Sequence, residues 1–187
     1  MAELVYLVAV SLDGYIAGPD HQYDTFATEG DHMQDLFDNY PDALPTHFAE
    51  HMGLDQSRGR FGAVVMGADT YAMGLPNVTS PYRHLDQYVF THRDHEPAEN
   101  VTFTDDDPVA VVRRLKERDT GDIWLCGGSN LAGQLVDEID RLVLKRHPVV
   151  LGAGKPLFAM SYRPARFTQV ASRDFTTSVT VSEFVRA

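Results

Sequence analysis

The chain has one cysteine, Cys126, among 187 residues. A lone thiol forms no internal disulfide and builds no thiolate metal cage, and it suits a reducing compartment. Positive charge is also scarce, with 16 Lys and Arg against 27 Asp and Glu, a formal net charge of −11. So negative a surface repels phosphodiester backbones and anionic lipid, which sets nucleic acid and membrane aside and leaves a small-molecule substrate. Any anionic ligand must be held by local donors. No apolar run approaches the ~20 residues of a membrane-spanning helix. The opening MAELVYLVAV has no basic residue before its apolar stretch, unlike a secretory leader. The expectation is a cytoplasmic protein forming one domain over residues 1–187, long enough for a sizeable core.

Apolar runs of strand length recur at 4–12, 61–67, 87–91, 101–104, 122–128 and 141–151. Helical patterns separate them. Residues 107–118 open with Asp107 as N-cap and Pro108 at the first helical position, then set Val111, Val112 and Leu115 on one face. Residues 129–139 repeat Leu131, Leu135 and Ile139. Beyond 165 the pattern alternates, with a polar break near Arg173-Asp174, as in an antiparallel strand pair. The fold class is α/β, a mostly parallel twisted sheet with an antiparallel C-terminal edge and helices on both faces, three layers in all. Polar, Pro-bearing residues 18–45 read as a long loop, a candidate lid.

Three strands end in glycine. Gly67 precedes Asp69 and Thr70, either of which is a candidate cap; Gly127-Gly128 precedes Ser129 and Asn130; Gly152 and Gly154 end a third run. Strand–Gly–helix turns expose backbone amides to anions, but each alone is a common tight turn. A G-x-G-x-x-G motif is excluded, because Leu157 stands where a third glycine belongs. A phosphate-binding Walker loop is excluded because Pro156 follows Gly154-Lys155. Residues 47–51 spell H-x-x-E-H, the metallopeptidase signature, with His47 and His51 one helical turn apart. Nothing downstream marks a third ligand, so no metal is expected and the pair reads as surface or pocket-rim histidines. Asp13 before Gly14 is first a turn former, and Asp105–Asp107 a solvated helix start.

Taken together and in order, VAVSLDGYIAGPD (8–20), VVMGADTY (64–71), YVFTHRD (88–94), IWLCGGSNLAGQLV (123–136) and IDRLVLKRHPVVLGAGKPLF (139–158) resemble the dihydrofolate reductase fold. The closer likeness is to the branch holding the reductase domain of the bifunctional riboflavin-biosynthesis deaminase/reductase. The resemblance covers essentially the whole chain. It implies an NADPH-dependent reductase acting on a small heterocyclic or carbonyl-like substrate, a riboflavin-pathway pyrimidine or a pterin among them. Thr70 would lie by the pyrophosphate after Gly67. Gly127–Gly128 would be the family's cis peptide, and Cys126, Ser129, Asn130 and Leu131 would complete that turn. Thr91, His92 and Arg93 would approach the adenosine end, with Arg93 on the 2′-phosphate, and Ala9 and Val10 would meet the nicotinamide. Substrate contacts fall to Asp13, His47 and His51, and the weak candidates for the catalytic acid are Glu50, His51 and Asp55 on or beside a helix over 43–56.

Two departures stand out. Ala68 occupies the place where these reductases often carry an arginine, and no carboxylate is assignable as the buried substrate acid. A second class of function is therefore a nucleotide-binding sensor or regulator of the same fold without catalysis. Trp124, two residues before Cys126, should face the same side of its strand, towards the cofactor. A homodimer is the expectation from the resembled branch.

Overall fold

The computed structural model describes residues 1–118 and 120–187. Its strands are β1 (Leu4–Val10), β2 (Tyr15–Ala17), β3 (Phe61–Gly67), β4 (Asp86–Phe90), β5 (Val101–Thr104), β6 (Asp122–Gly127), β7 (Arg141–Arg146), β8 (Lys155–Pro156), β9 (Phe167–Asp174) and β10 (Thr180–Arg186). The helices are α1 (Asp31–Asn39), α2 (Thr46–Met52), α3 (Ala68–Ala72), α4 (Pro108–Lys116) and α5 (Ser129–Gln134). An eight-stranded sheet runs β5-β4-β3-β6-β1-β7-β10-β9, and β2 with β8 forms a small separate pair. All neighbours from β5 to β7 are parallel; β10 is antiparallel to both β7 and β9.

β1 is central, paired with β6 on one side and β7 on the other. A strand covered on both faces must be apolar throughout, which is why LVYLVAV does not alternate. Leu4, Val5 and Tyr6 are fully buried. The odd-numbered side chains Val5 and Leu7 pack on one face with Leu36, Tyr40, Val64, Met66, Trp124 and Val143. The even-numbered Leu4 and Tyr6 pack on the other with Val65, Val111, Leu115, Leu125, Leu131 and Leu135. Asp107 caps α4 as its sequence demands, accepting from the Val109 and Ala110 amides. Among the described residues no helix is long and apolar enough to cross a membrane.

Three local expectations need correction. Residues 18–45 are not one long loop, since α1 and a 3-10 turn at Pro41–Ala43 lie within them. The polar surface of α1 hides a short apolar stripe in which Leu36 is buried and Met33 and Phe37 pack against the core. Arg173 on β9 holds the helix from its other side through Asp35. The helix expected over 43–56 shrinks to Thr46–Met52, stopped by Gly53 in the left-handed conformation. The strand expected to reach 151 ends at Arg146, because His147 and Pro148 turn the chain. The C-terminal turn falls at 175–179, just past the polar break.

The segment between β2 and α1 is tied to the sheet through Ala27. Its N–H donates to His147 Nδ1 at 3.3 Å, and its carbonyl accepts from His32 Nε2 at 3.0 Å. His32 Nδ1 then accepts from the Thr177 hydroxyl at 2.9 Å. Both rings are buried and meet edge to face at 5.6 Å, with Phe26 against His147. Burial first, then the positive charge of Lys145 and the neighbouring His32, pushes His147 down to about 4.

The consequence for stability has a definite sign. Above the ordinary histidine value of ~6.5, folded and unfolded chains bind equally few protons at this site. Between there and about 4 the unfolded chain takes up a proton that folded His147 refuses, so stability falls as pH drops. His147→Asn keeps an acceptor for Ala27 and removes the titration. Urea unfolding from pH 7 to pH 4 should show the native chain losing on the order of 3 kcal/mol more than this variant. Parallel profiles would mean that His147 does not resist protonation.

Candidate functional site

β3 and β6 are parallel neighbours, so both leave the sheet at the same margin and their turns lie side by side. Met66 is in register with Gly127. Gly67 leads straight into α3, and Gly127–Gly128, whose peptide bond is cis, leads into α5. The Thr70 hydroxyl lies 3.6 Å from where a Cβ on either Gly127 or Gly128 would sit. Gly127 also has φ 139, a conformation that side chains resist. Glycine at these two positions keeps side chains out of the space between the turns.

That space is part of a cleft of about 1160 Å³ along the strand ends. One end is lined by Thr91, His92 and the residues from Thr104 to Pro108. The middle is lined by Gly67, Thr70, Gly127, Gly128, Ser129, Asn130 and Leu131. The far end is bounded by Tyr23, Pro45, His47, Pro81, Tyr82 and Cys126. Ser129 is 8% exposed, and its hydroxyl is buried without any hydrogen-bond partner in the protein. Buried hydroxyls are nearly always bonded, so this one is an exception, set just beneath the cleft wall. Among the described residues Lys155 is the one Lys or Arg lining the cleft.

The floor at the far end is uncharged. Tyr82 Oη and Cys126 Sγ lie 3.7 Å apart. Burial pushes the Cys126 thiol up to about 11, although the Tyr82 contact and the charge of Lys145 pull it the other way. Burial and the thiol raise the Tyr82 phenol well above its ordinary range. Above the floor, at the mouth, His21 Nε2 reaches across to Asp69 of α3 at 3.8 Å.

The sequence-derived candidates divide cleanly. Gly67, Thr70, Thr91, His92, Cys126, Gly127, Gly128, Ser129, Asn130, Leu131 and His47 all line the cleft. Arg93 does not; it is exposed outside it. Val8 lines the cleft in place of Ala9 and Val10, and Val10 is buried. Asp13 is a turn residue. It accepts from Ser11 Oγ and from the Leu151 and Gly152 amides, which tie the β1–β2 turn to the loop after β7 and hold its carboxyl down at about 2.

The acid candidates also leave the site. Helix α2 buries Thr46 and Ala49 and packs Phe48 against the core, while Glu50, His51 and Met52 beyond them are exposed. Glu50 forms an exposed ion pair with Arg83 at 2.8 Å, His51 is exposed, and Asp55 accepts from Ser57 in its own turn. The buried carboxylate of this region is Asp42, which accepts from the Phe61 amide at 2.6 Å and does not line the cleft. Tyr82, Tyr23, Asp105 and Asp106 were missed as cleft residues. Tyr82 sits in a loop with no motif, and nothing in its neighbours' identities signals it. Trp124 shares the Cys126 face as expected, but lies beneath Tyr82 at 4.9 Å, its indole N–H donating to the Leu7 carbonyl.

Known proteins with this pattern can now be set beside it. The model of the RibD C-terminal domain matches residues 2–181. The chain belongs to the RibD C-terminal domain family. An uncharacterized Bacillus subtilis member, YwjB, is 34% identical over 161 residues, covering 82% of this chain and 81% of that one. A putative riboflavin biosynthesis protein from Shewanella superimposes with a TM-score of 0.73 at 23% identity, covering 100% of this chain and 99% of the other. Dihydrofolate reductase from Enterococcus faecalis, complexed with NADP(H) and RAB-propyl, gives 0.64 at 15% identity, with 98% and 96% covered. At those identities the two structures establish the fold, which is that of dihydrofolate reductase. The paired glycine turns stand at the C-terminal ends of parallel strands, the margin at which open α/β sheets generally bind ligands.

The neutral floor makes its own prediction. Alkylation of Cys126 by iodoacetamide in the folded protein should be slow at pH 8 and rise towards pH 11, since the thiolate is the reactive form. Rapid labelling at pH 7 would show that the thiol is not desolvated.

Proposed function

We propose that this RibD-type chain is a nicotinamide-dependent reductase acting on a small heterocyclic or carbonyl-like substrate. The observation that carries the proposal is the side-by-side pair of glycine turns on one cleft, with the Thr70 hydroxyl over Gly127 and Gly128. Their amides, with Thr70 Oγ1, suit the diphosphate of a dinucleotide, and the absence of side chains at Gly127 and Gly128 leaves room for it. The family and the dihydrofolate reductase fold support a nicotinamide cofactor.

The residues present fit such a cofactor. When bound, it supplies the hydride. The protein orients and encloses. Tyr82 and Cys126 are themselves neutral groups at this floor, with the charge of Lys145 close to Cys126. Tyr23, Pro45, Pro81 and Tyr82 bound a small, largely apolar space, which suits a flat ring more than an extended chain. His21 with Asp69 crosses the mouth and limits water access. His47 is the sequence candidate that remains at the substrate end, placed to contact a polar substituent.

One observation favours the sensor reading as an alternative. The carboxylates lining the cleft, Asp69, Asp105, Asp106 and Asp107, are all exposed, and none is a buried acid at the substrate end. Binding and turnover separate the two readings. Titration with reduced coenzyme should quench Trp124, which lies one side chain below the cleft floor, and excite coenzyme emission by energy transfer. Oxidation of the coenzyme with a panel of flavin precursors, pterins and aldehydes should then follow. Binding with no turnover across the panel would favour the sensor, and a flat titration with NADH and NADPH alike would refute the dinucleotide site.

A further inference from the structure

The adenosine end of the cleft carries charge of the wrong sign for a phosphorylated ribose. β4 and β5 are parallel neighbours, and the Thr91 N–H donates to the Thr104 carbonyl at 2.9 Å. This bond holds the loop after β4 against the β5–α4 junction. Thr91 and His92 therefore line the same pocket as Asp105, Asp106 and Asp107. Asp107 is engaged as the α4 cap, which leaves the exposed carboxylates of Asp105 and Asp106.

Cations that could oppose them are poorly placed. Arg93 lies outside the cleft, and the position after Gly67 is Ala68. Arg114, in the last turn of α4, does not line the cleft and is drawn to Asp106 at 3.7 Å. His92 alone among the lining residues here can carry positive charge.

We propose that this end of the cleft selects a dinucleotide with free ribose hydroxyls, NADH, over its 2′-phosphorylated counterpart, with Asp105 and Asp106 as the specificity-determining residues. The proposal rests on the dinucleotide reading given above and departs from the NADPH expectation. Carboxylates accept hydrogen bonds from ribose hydroxyls, the arrangement dinucleotide sites use when no 2′-phosphate is present. A 2′-phosphate placed there meets the charge of Asp105 and that of Asp106, the latter partly offset by Arg114, with no arginine among the lining residues.

The test titrates the full chain with NADH and with NADPH, by energy transfer from Trp124 and by calorimetry. NADH should bind more tightly by at least about tenfold at low salt. The gap should narrow as ionic strength rises, because the screening length falls from ~30 Å at 0.01 M to ~3 Å at 1 M. The double variant Asp105→Asn, Asp106→Asn should close most of the gap by gaining affinity for NADPH. Asp106→Arg should invert it. NADPH binding as tightly as NADH in the native chain would overturn the proposal and leave the dinucleotide reading standing. Folded variants that keep the native ratio would also overturn it. Failure of both coenzymes to bind would overturn the two together.

Discussion

The parallel pairing of β3 with β6 is the constraint from which the site follows. Parallel neighbours end at the same margin, so whatever follows them is forced into contact. Here both are followed by glycine and then a short helix, and the register Met66 with Gly127 brings Thr70 over the second turn. Were these strands separated, or one reversed, each turn would be an ordinary strand–helix junction. Their adjacency converts two weak features into one cleft.

Much of this was legible because it rests on local patterns. Continuous apolar runs fixed the buried parallel strands, and β3 and β5 were bounded to the residue. Asp107-Pro108 announced α4, and Gly127-Gly128 announced the second turn. What escaped was tertiary in origin. Helix α1 looks polar because only one narrow stripe of it is inside, and its stability draws on Arg173 from the far end of the chain. Tyr82 lines the cleft because the Pro81 carbonyl accepts from the Thr46 amide, a contact with no trace in either local sequence.

Errors about the acid share one cause. A helix of seven residues buries two positions and exposes most of the rest, so identity within EHM or HFAEH says little about which side faces a cleft. Glu50 found Arg83, and Asp55 found its own turn. The carboxylate that did go inside, Asp42, belongs to the 3-10 turn before α2. There it holds the Phe61 amide at the entry to β3, and burial raises its pKa. A buried acid near the expected place thus supports the sheet and takes no part in the cleft. The H-x-x-E-H string dissolves for the same reason: His47 and His51 are exposed, and among the described residues no three His, Cys, Asp or Glu side chains gather as metal ligands.

Net charge bears on how such a chain holds an anion at all. A protein at −11 gains nothing from long-range attraction to a phosphate, so the contacts must be short and directional. Backbone amides meet that need, since they donate without adding a charge and their direction is set by the strands that precede them. Ala68 in place of an arginine, Lys155 as the one Lys or Arg among the described cleft residues, and open space at Gly127 and Gly128 all agree with binding by neutral donors. On the dinucleotide reading proposed above, such a site would read shape at the diphosphate and leave charge selection to its ends. The aspartates at the β5–α4 junction would then bias which coenzyme fits, because no strong central cation masks them.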